Sequence, residues 1–360
     1  MSSTIGHSSR LVTPVTAPQE ERKTMPLPGR PRETGPREAV PRQLPPQAPE
    51  LGRMRKLLGS FHVTGVFWYR FHLWGVSLLP QWAVGIFVFL FTTFFFLVLR
   101  RIRKAIAANL AVVLGPCSWW QTQVRIYRTM WNFAWCLSEW YEQLSTDRRV
   151  SATVEGKELV GEMRQSMDGF IIVTAHVGHW EVWSIGLSSA RRRHVHVVRE
   201  EEMDPQAQAF IQDLVGQSRR HGDPSAADSF EVHFPEQEPN LPITLLRALR
   251  RGEIVALQGD RPRARGRTVA VRLFDRPFAF PCGPAALARS ADVDLVPIFL
   301  FREGRLHSRP VVRPPIRVAT TGDRDQAIAE TMQKIAAEIE WAIRHRPYQW
   351  FCFRELWPEK

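Results

Sequence analysis

The chain has 360 residues, 44% of them hydrophobic, and carries 48 Lys and Arg against 36 Asp and Glu for a formal net charge of +12. That length allows one or two domains with a sizeable core and excludes a disulfide-stapled miniprotein. The positive balance calls for an anionic partner, whether nucleic acid, an anionic membrane or a phosphorylated or carrier-bound substrate. Cys117, Cys136, Cys282 and Cys352 follow no regular spacing, so neither a disulfide framework nor a cysteine-rich zinc site is expected.

Residues 1–50 hold ten Pro and few large apolar residues. Such a segment cannot bury enough surface to offset the entropy of ordering, which predicts a disordered tail. Its start lacks the charged, apolar and small-residue succession of a cleaved signal. Residues 51–104 read as a membrane-anchoring segment. From Phe71 to Leu99 there is no Asp, Glu, Lys or Arg, and the apolar run 82–99 would span roughly 27 Å as a helix, near the lower limit for a bilayer core. The aromatic stretch from Phe61 to Leu79, interrupted by Arg70, suggests a helix lying at the interface. Eight of the 13 Trp fall between Trp68 and Trp140, where a headgroup region would favour them. Arg100, Arg101, Arg103 and Lys104 follow the run and place the rest of the chain on the cytoplasmic side, although Arg53, Arg55, Lys56 and Arg70 on the other flank weaken the asymmetry.

Residues 105–149 are expected to form amphipathic linking helices. Ile126, Met130, Phe133, Leu137, Tyr141 and Leu144 recur at spacings of three and four. From 150 to 357, short β-rich runs (169–175, 194–198, 253–258, 268–274 and 293–299) alternate with helical stretches, the pattern of an α/β domain built on a central sheet. Gly283 opens a helix of small residues suited to close packing on that sheet. Ile328, Met332, Ile335, Ile339 and Ile343 form the stripe of a last helix that ends before Pro347.

The segment from Gly169 to Glu181 carries the chemistry. A buried strand delivers His176 at its end, Gly178 permits a tight turn, and a helix can begin near His179. Positions five apart lie about 140° from each other on an ideal helix, so His176 and Glu181 converge only through that turn. A carboxylate beside an imidazole fixes its tautomer and stabilises the imidazolium, which suits a general base for a hydroxyl. His179, His194 and His196 raise the question of a metal, but no third ligand stands at diagnostic spacing and His194 follows Arg191, Arg192 and Arg193, so no metal site is expected. From Arg247 to Arg276 there are nine Arg against Glu253, Asp260 and Asp275, half of the chain's net charge, in a residue type that matches phosphate.

His176-Val-Gly-His-Trp-Glu181 resembles the His-x-x-x-x-Asp/Glu motif of the late acyltransferases of lipid A biosynthesis, which reads His-Phe-Gly-Asn-Trp-Glu. The likeness extends to RRIRKAIAANL after the apolar run, to HVVR ending at Arg199, to RRGEIVALQGDR ending at Asp260 and Arg261, to LFDRPFAFPCGPAALA before VPIF, and to the closing RPYQWFCFR. Val177 and His179 depart from the family's common Phe and Asn.

The resemblance implies a central mixed sheet flanked by helices, as in glycerolipid acyltransferases, with the acyltransferase domain over 150–357 and the inner membrane of a bacterium as its place. It implies transfer of a fatty acyl chain from an acyl carrier protein thioester, or from acyl-CoA, to a hydroxyl of a lipid A-type glycolipid precursor, with no cofactor. His176 would be the general base and Glu181 its orienting partner; Arg199, Asp260 and Arg261 would lie at the substrate cleft. Other acceptors within this chemistry are a lysophospholipid, an ornithine-type lipid or a mannosylated lipid. From other classes, a membrane-bound nucleic-acid-binding protein would use the Arg-rich run, but no nucleic-acid-binding motif accompanies it and no such partner is expected. An inactive membrane scaffold is opposed by the intact His176 and Glu181.

Overall fold

The computed structural model describes residues 66–181, 193–200, 205–221, 230–261 and 267–358. The expected tail over 1–50, the basic residues Arg53, Arg55 and Lys56, the stretch 61–65, and Arg191, Arg192, Arg263 and Arg265 lie outside the described residues.

The apolar segment forms two helices, α1 (Val66–Leu78) and α2 (Gln81–Val98), separated at Pro80, which cannot donate a backbone hydrogen bond and starts α2 in an extended conformation. They run antiparallel, because Trp68 meets Phe94 and Phe95 at 5.3 and 5.1 Å while Phe71 meets Phe87 at 5.6 Å. Among the described residues α2 is the one helix long and apolar enough to cross a membrane by length and composition. Val84, Val88 and Thr92, one turn apart, are buried, while Trp82, Ile86, Phe89, Leu90 and Leu97 are exposed. The expected interfacial helix is thus α1, folded back on α2. It buries His72, whose Nε2 lies 2.7 Å from Ser138 Oγ, and exposes Phe71, Trp74 and Leu78.

The linking helices are α3 (Arg100–Leu114) and α4 (Trp119–Ser145). Ser118 and Gln121 close a capping box that starts α4. Ile126, Met130, Tyr141 and Leu144 of the predicted stripe are buried along it, and so are Glu139 and Glu142.

Among the described residues the central sheet is mixed, with seven strands in the order β1-β9-β8-β2-β5-β3-β4. These are β1 (Ser151–Ala152), β2 (Phe170–Thr174), β3 (Val195–Val198), β4 (Phe230–His233), β5 (Ile254–Gln258), β8 (Leu295–Gly304) and β9 (His307–Val312). All neighbouring pairs are parallel except β8 with β9. Side chains alternate across a strand. Ile171 and Val173 therefore join one core with α7 (Leu241–Arg250), α8 (Gly283–Ala291) and α9 (Arg324–His345), while Phe170 and Ile172 face α5 (Lys157–Gln165) on the other side. Buried on both faces, β2 reads as the continuous apolar run of a central parallel strand. The helix α6 (Pro205–His221) precedes β4.

The run 268–274 leaves the central sheet that its alternation with helices suggested. It forms β6 (Thr268–Leu273), which among the described residues pairs only with β7 (Arg276–Pro281), in an antiparallel hairpin. Phe274 and Asp275 both have positive φ, the turn that matches strand twist in a two-residue loop. The remaining predicted strands and the stripe of α9 stand where the sequence placed them.

Candidate active site

Parallel strands place the residues that follow them on one edge of the sheet, where open α/β folds bind ligands. Here β2, β5 and β3 are neighbours; β2 runs into His176, β5 into Asp260 and Arg261, and β3 into Arg199. Thr174 pairs with Gln258, and Gly259 N–H donates to Thr174 O, so the two chains leave the sheet in step. That register brings His176 and Asp260, 84 positions apart, to a hydrogen bond of 2.7 Å between Nδ1 and Oδ1.

Gly178 shapes the loop. Its φ is +58°, and a Cβ there would collide with the Leu300 carbonyl. The loop is sewn on both sides, since His179 N–H donates to Leu300 O (2.7 Å) and Gly178 N–H to Gln349 O (3.0 Å). The closing segment lies across it. Phe351 N–H donates to His176 O (2.8 Å), Trp350 Nε1–H to Asp260 Oδ2 (3.1 Å), and Arg261 Nη2 to Phe351 O (2.8 Å).

Both members of the pair are buried. Burial lowers the His176 pKa below its ordinary 6.5; Asp260 pulls the other way and Arg261 adds to the lowering, so the ring is neutral at neutral pH. Burial also opposes the charge on Asp260, but the His176 ring, the Arg261 guanidinium and the Trp350 N–H outweigh it and bring the carboxyl from 3.8 to about 2. An ionised Asp260 only accepts, so Nδ1 of His176 carries the hydrogen and Nε2 the lone pair, the tautomer of a general base. Cys352 is no competing nucleophile. Burial, with Asp260 nearby, pushes its thiol up to about 11.

The expected His176–Glu181 pair is not formed. Glu181, beyond the turn, takes a two-pronged ion pair from Arg199, with Nη1–Oε2 at 3.0 Å and Nη2–Oε1 at 3.1 Å. The physical reason is adjacency: Asp260 leaves the strand beside β2, while Glu181 meets a fork of guanidinium donors at the end of β3. Trp180 joins the two pairs, its ring 4.8 Å from that of His176 and 5.8 Å from the Arg199 guanidinium carbon.

His179 turns away from this edge. Its Nε2 is 2.6 Å from Glu139 Oε2 on α4, and Arg302 forks the same carboxylate at 2.9 and 3.0 Å. Burial would raise the Glu139 pKa, but the hydrogen bonds from His179 and Arg302 outweigh it and hold the carboxyl below its ordinary value. With Arg305 Nη2 donating to both oxygens of Glu142, this cluster locks α4 to β8 and the loop after it.

The structure thus holds His176, Asp260, Arg261, Arg199 and Glu181 at one edge, with Asp260 at His176 and Glu181 at Arg199. Sequence reasoning missed Trp350 and Glu139. A Trp in the closing signature was the only available sign of the first, and a Glu within an apolar helical stripe the sign of the second. The basic run does not form one patch among its described members. Arg250 donates to Ser290 O, Arg251 pairs with Glu253, Arg267 with Asp325, and Arg272 donates to Asp275 O; Arg261 alone of these reaches the neighbourhood of His176.

Among curated proteins no relative matches the chain. The family model of the bacterial lipid A biosynthesis acyltransferases matches residues 55–359, a span that takes in α1 and α2, His176, Asp260 and the closing segment with Trp350. The chain therefore belongs to the bacterial lipid A biosynthesis acyltransferase family and is an acyltransferase.

Proposed function

We propose that the protein transfers a fatty acyl chain from an acyl carrier protein thioester to a hydroxyl of a lipid A-type glycolipid precursor, with His176 as general base and Asp260 as its positioning residue. The observation that carries this reading is the buried 2.7 Å pair of His176 Nδ1 and Asp260 Oδ1 at the carboxyl edge of the sheet. Nε2 of the neutral ring accepts the acceptor's hydroxyl proton as its oxygen attacks the thioester carbonyl carbon. The tetrahedral adduct collapses with loss of the carrier thiolate, which takes the proton from the imidazolium. The oxygen nucleophile belongs to the acceptor, so no acyl-enzyme is needed.

Glu181 and Arg199 are placed in this proposal at the mouth of the cleft, joined to His176 through Trp180. An anionic acceptor draws on Arg199 and Arg261. No metal or other cofactor takes part in the transfer.

The exposed apolar faces of α1 and α2, with Trp119 and Trp120 at the start of α4, support seating in the bacterial inner membrane. The basic start of α3 supports a cytoplasmic position for the sheet domain, where acyl carrier protein is found. The purified chain in nanodiscs, supplied with acyl carrier protein thioester or acyl-CoA and with glycolipid or lysophospholipid acceptor, tests the reading by mass spectrometry of the products. Acylation of glycolipid from the carrier thioester supports it. Transfer only to lysophospholipid, or only from acyl-CoA, refutes the stated acceptor or donor.

A further inference from the structure

Three imidazoles and a carboxylate meet away from His176, at the outer strands of the sheet. His194 and His196 lie at and within the start of β3, Glu231 and His233 on β4, and the parallel register sets His196 opposite Glu231 and Val198 opposite His233. Glu231 Oε2 stands 3.5 Å from His194 Nε2, 3.6 Å from His196 Nδ1 and 3.7 Å from His233 Nε2. A tetrahedral zinc with bonds of about 2.0–2.1 Å spaces its ligand atoms about 3.3–3.4 Å apart. The potential ligand atoms of His194, His196 and Glu231 all lie within 4.8 Å of one another.

The far nitrogens of the two buried rings supply an independent observation. His196 Nε2 is 2.8 Å from Glu253 Oε2, itself forked by Arg251, and His233 Nδ1 is 2.9 Å from Glu238 Oε2. Carboxylates accept, so those two nitrogens carry the hydrogens. In neutral rings the near nitrogens, His196 Nδ1 and His233 Nε2, then direct lone pairs at each other across 2.9 Å. A positive centre resolves that repulsion. A proton serves these two nitrogens alone, whereas a metal ion serves Glu231 Oε2 as well. Histidine ligands backed by carboxylates on their other nitrogen are also the usual support of a zinc site.

We infer that His196 Nδ1, His233 Nε2 and Glu231 Oε2 hold a transition-metal ion, with water completing the coordination, His194 Nε2 beside Glu231, and zinc as the ion that suits imidazole and carboxylate donors. Glu231, 55% exposed at its side chain, gives the ion a way in from solvent. The site bolts the edge strand β4 to β3. Arg199 N–H donates to His233 O (3.0 Å), so the bolt sits one residue from the backbone that carries Arg199. Its role is structural, separate from the acyl transfer.

The test uses the full chain without a polyhistidine tag, in nanodiscs, stripped with chelator and titrated with zinc alone against a competing dye, with metal content read by elemental mass spectrometry. One zinc per chain is expected. The double variant His196→Ala, His233→Ala abolishes it, Glu253→Gln and Glu238→Gln each weaken it about 10–100-fold, and His307→Ala leaves it unchanged. Wild-type chain that takes up no zinc overturns the inference, as does a folded double variant that binds as wild type does. If the double variant does not fold, cobalt in the wild-type chain decides: the strong d–d absorption of a four-coordinate ion supports the site, and the weak spectrum of hydrated cobalt refutes it.

Discussion

Asp260→Asn separates the carboxylate that the structure sets against His176 from Glu181, the one in the motif. Trp350 Nε1–H needs an acceptor at the Oδ2 position, which draws the amide oxygen there and leaves the amide NH2 facing His176 Nδ1. The ring must then accept at Nδ1 and carry its hydrogen on Nε2, the tautomer that cannot take a proton from an acceptor hydroxyl. General-base catalysis is worth about 10²–10⁴-fold in rate, or about 2.7–5.5 kcal/mol, and the variant is expected to lose that much of kcat. Stability changes as well. The Asp260 pKa falls from 3.8 to about 2 on folding, so its ionised form stabilises the protein above about pH 4, and this contribution is lost as pH drops toward 2. Single-turnover acyl transfer on protein shown to be folded by thermal unfolding measures both effects. A folded Asp260→Asn variant with wild-type kcat would refute the reasoning. If Glu181→Gln were inactive in the same assay, the orienting role would return to Glu181.

In the wild type, activity should hold down to pH values below the ordinary histidine value of 6.5 and then fall with acid, because burial lowers the His176 pKa; a kcat profile that falls already above that value contradicts a buried neutral base. Trp350→Phe removes one hydrogen bond to a charged group, worth about 1.5–3 kcal/mol, and should reduce kcat by at most about 100-fold, less than Asp260→Asn, with the same assay as readout. Glu139→Ala leaves His179 and Arg302 buried without their shared carboxylate and should cost about 3–5 kcal/mol in thermal unfolding; an unchanged midpoint would show that the cluster does not lock α4 to the domain. Leu90→Arg, at the centre of α2 on its exposed face, should cost about 2.5–3.5 kcal/mol of insertion and move the chain out of the membrane fraction in flotation; unaltered flotation would exclude α2 as the anchor.

Local sequence by itself determined the strands at 170–174, 195–198 and 254–258, the apolar stripes of α4 and α9 and the apolar run of α2, because each depends on a periodicity or a composition that a short window contains. The runs around Ile172, Val197 and Ala256 could only be buried strands, and Ile328 to Ile343 only one face of a helix. It also determined that His176 stands at the end of a strand beside a turn only glycine tolerates. Tertiary structure decided which residues meet there. Asp260 rather than Glu181 holds His176, because strand order sets β5 beside β2 and parallel register leads both strands to the same edge in step. The same cause brings Glu231 and His233 to His194 and His196: His196 and His233 are 37 positions apart in the chain yet 2.9 Å apart across two strands. Hydrogen bonds and ion pairs act over a few ångströms. Pairings between distant segments therefore follow from the order of strands, which no window of sequence contains.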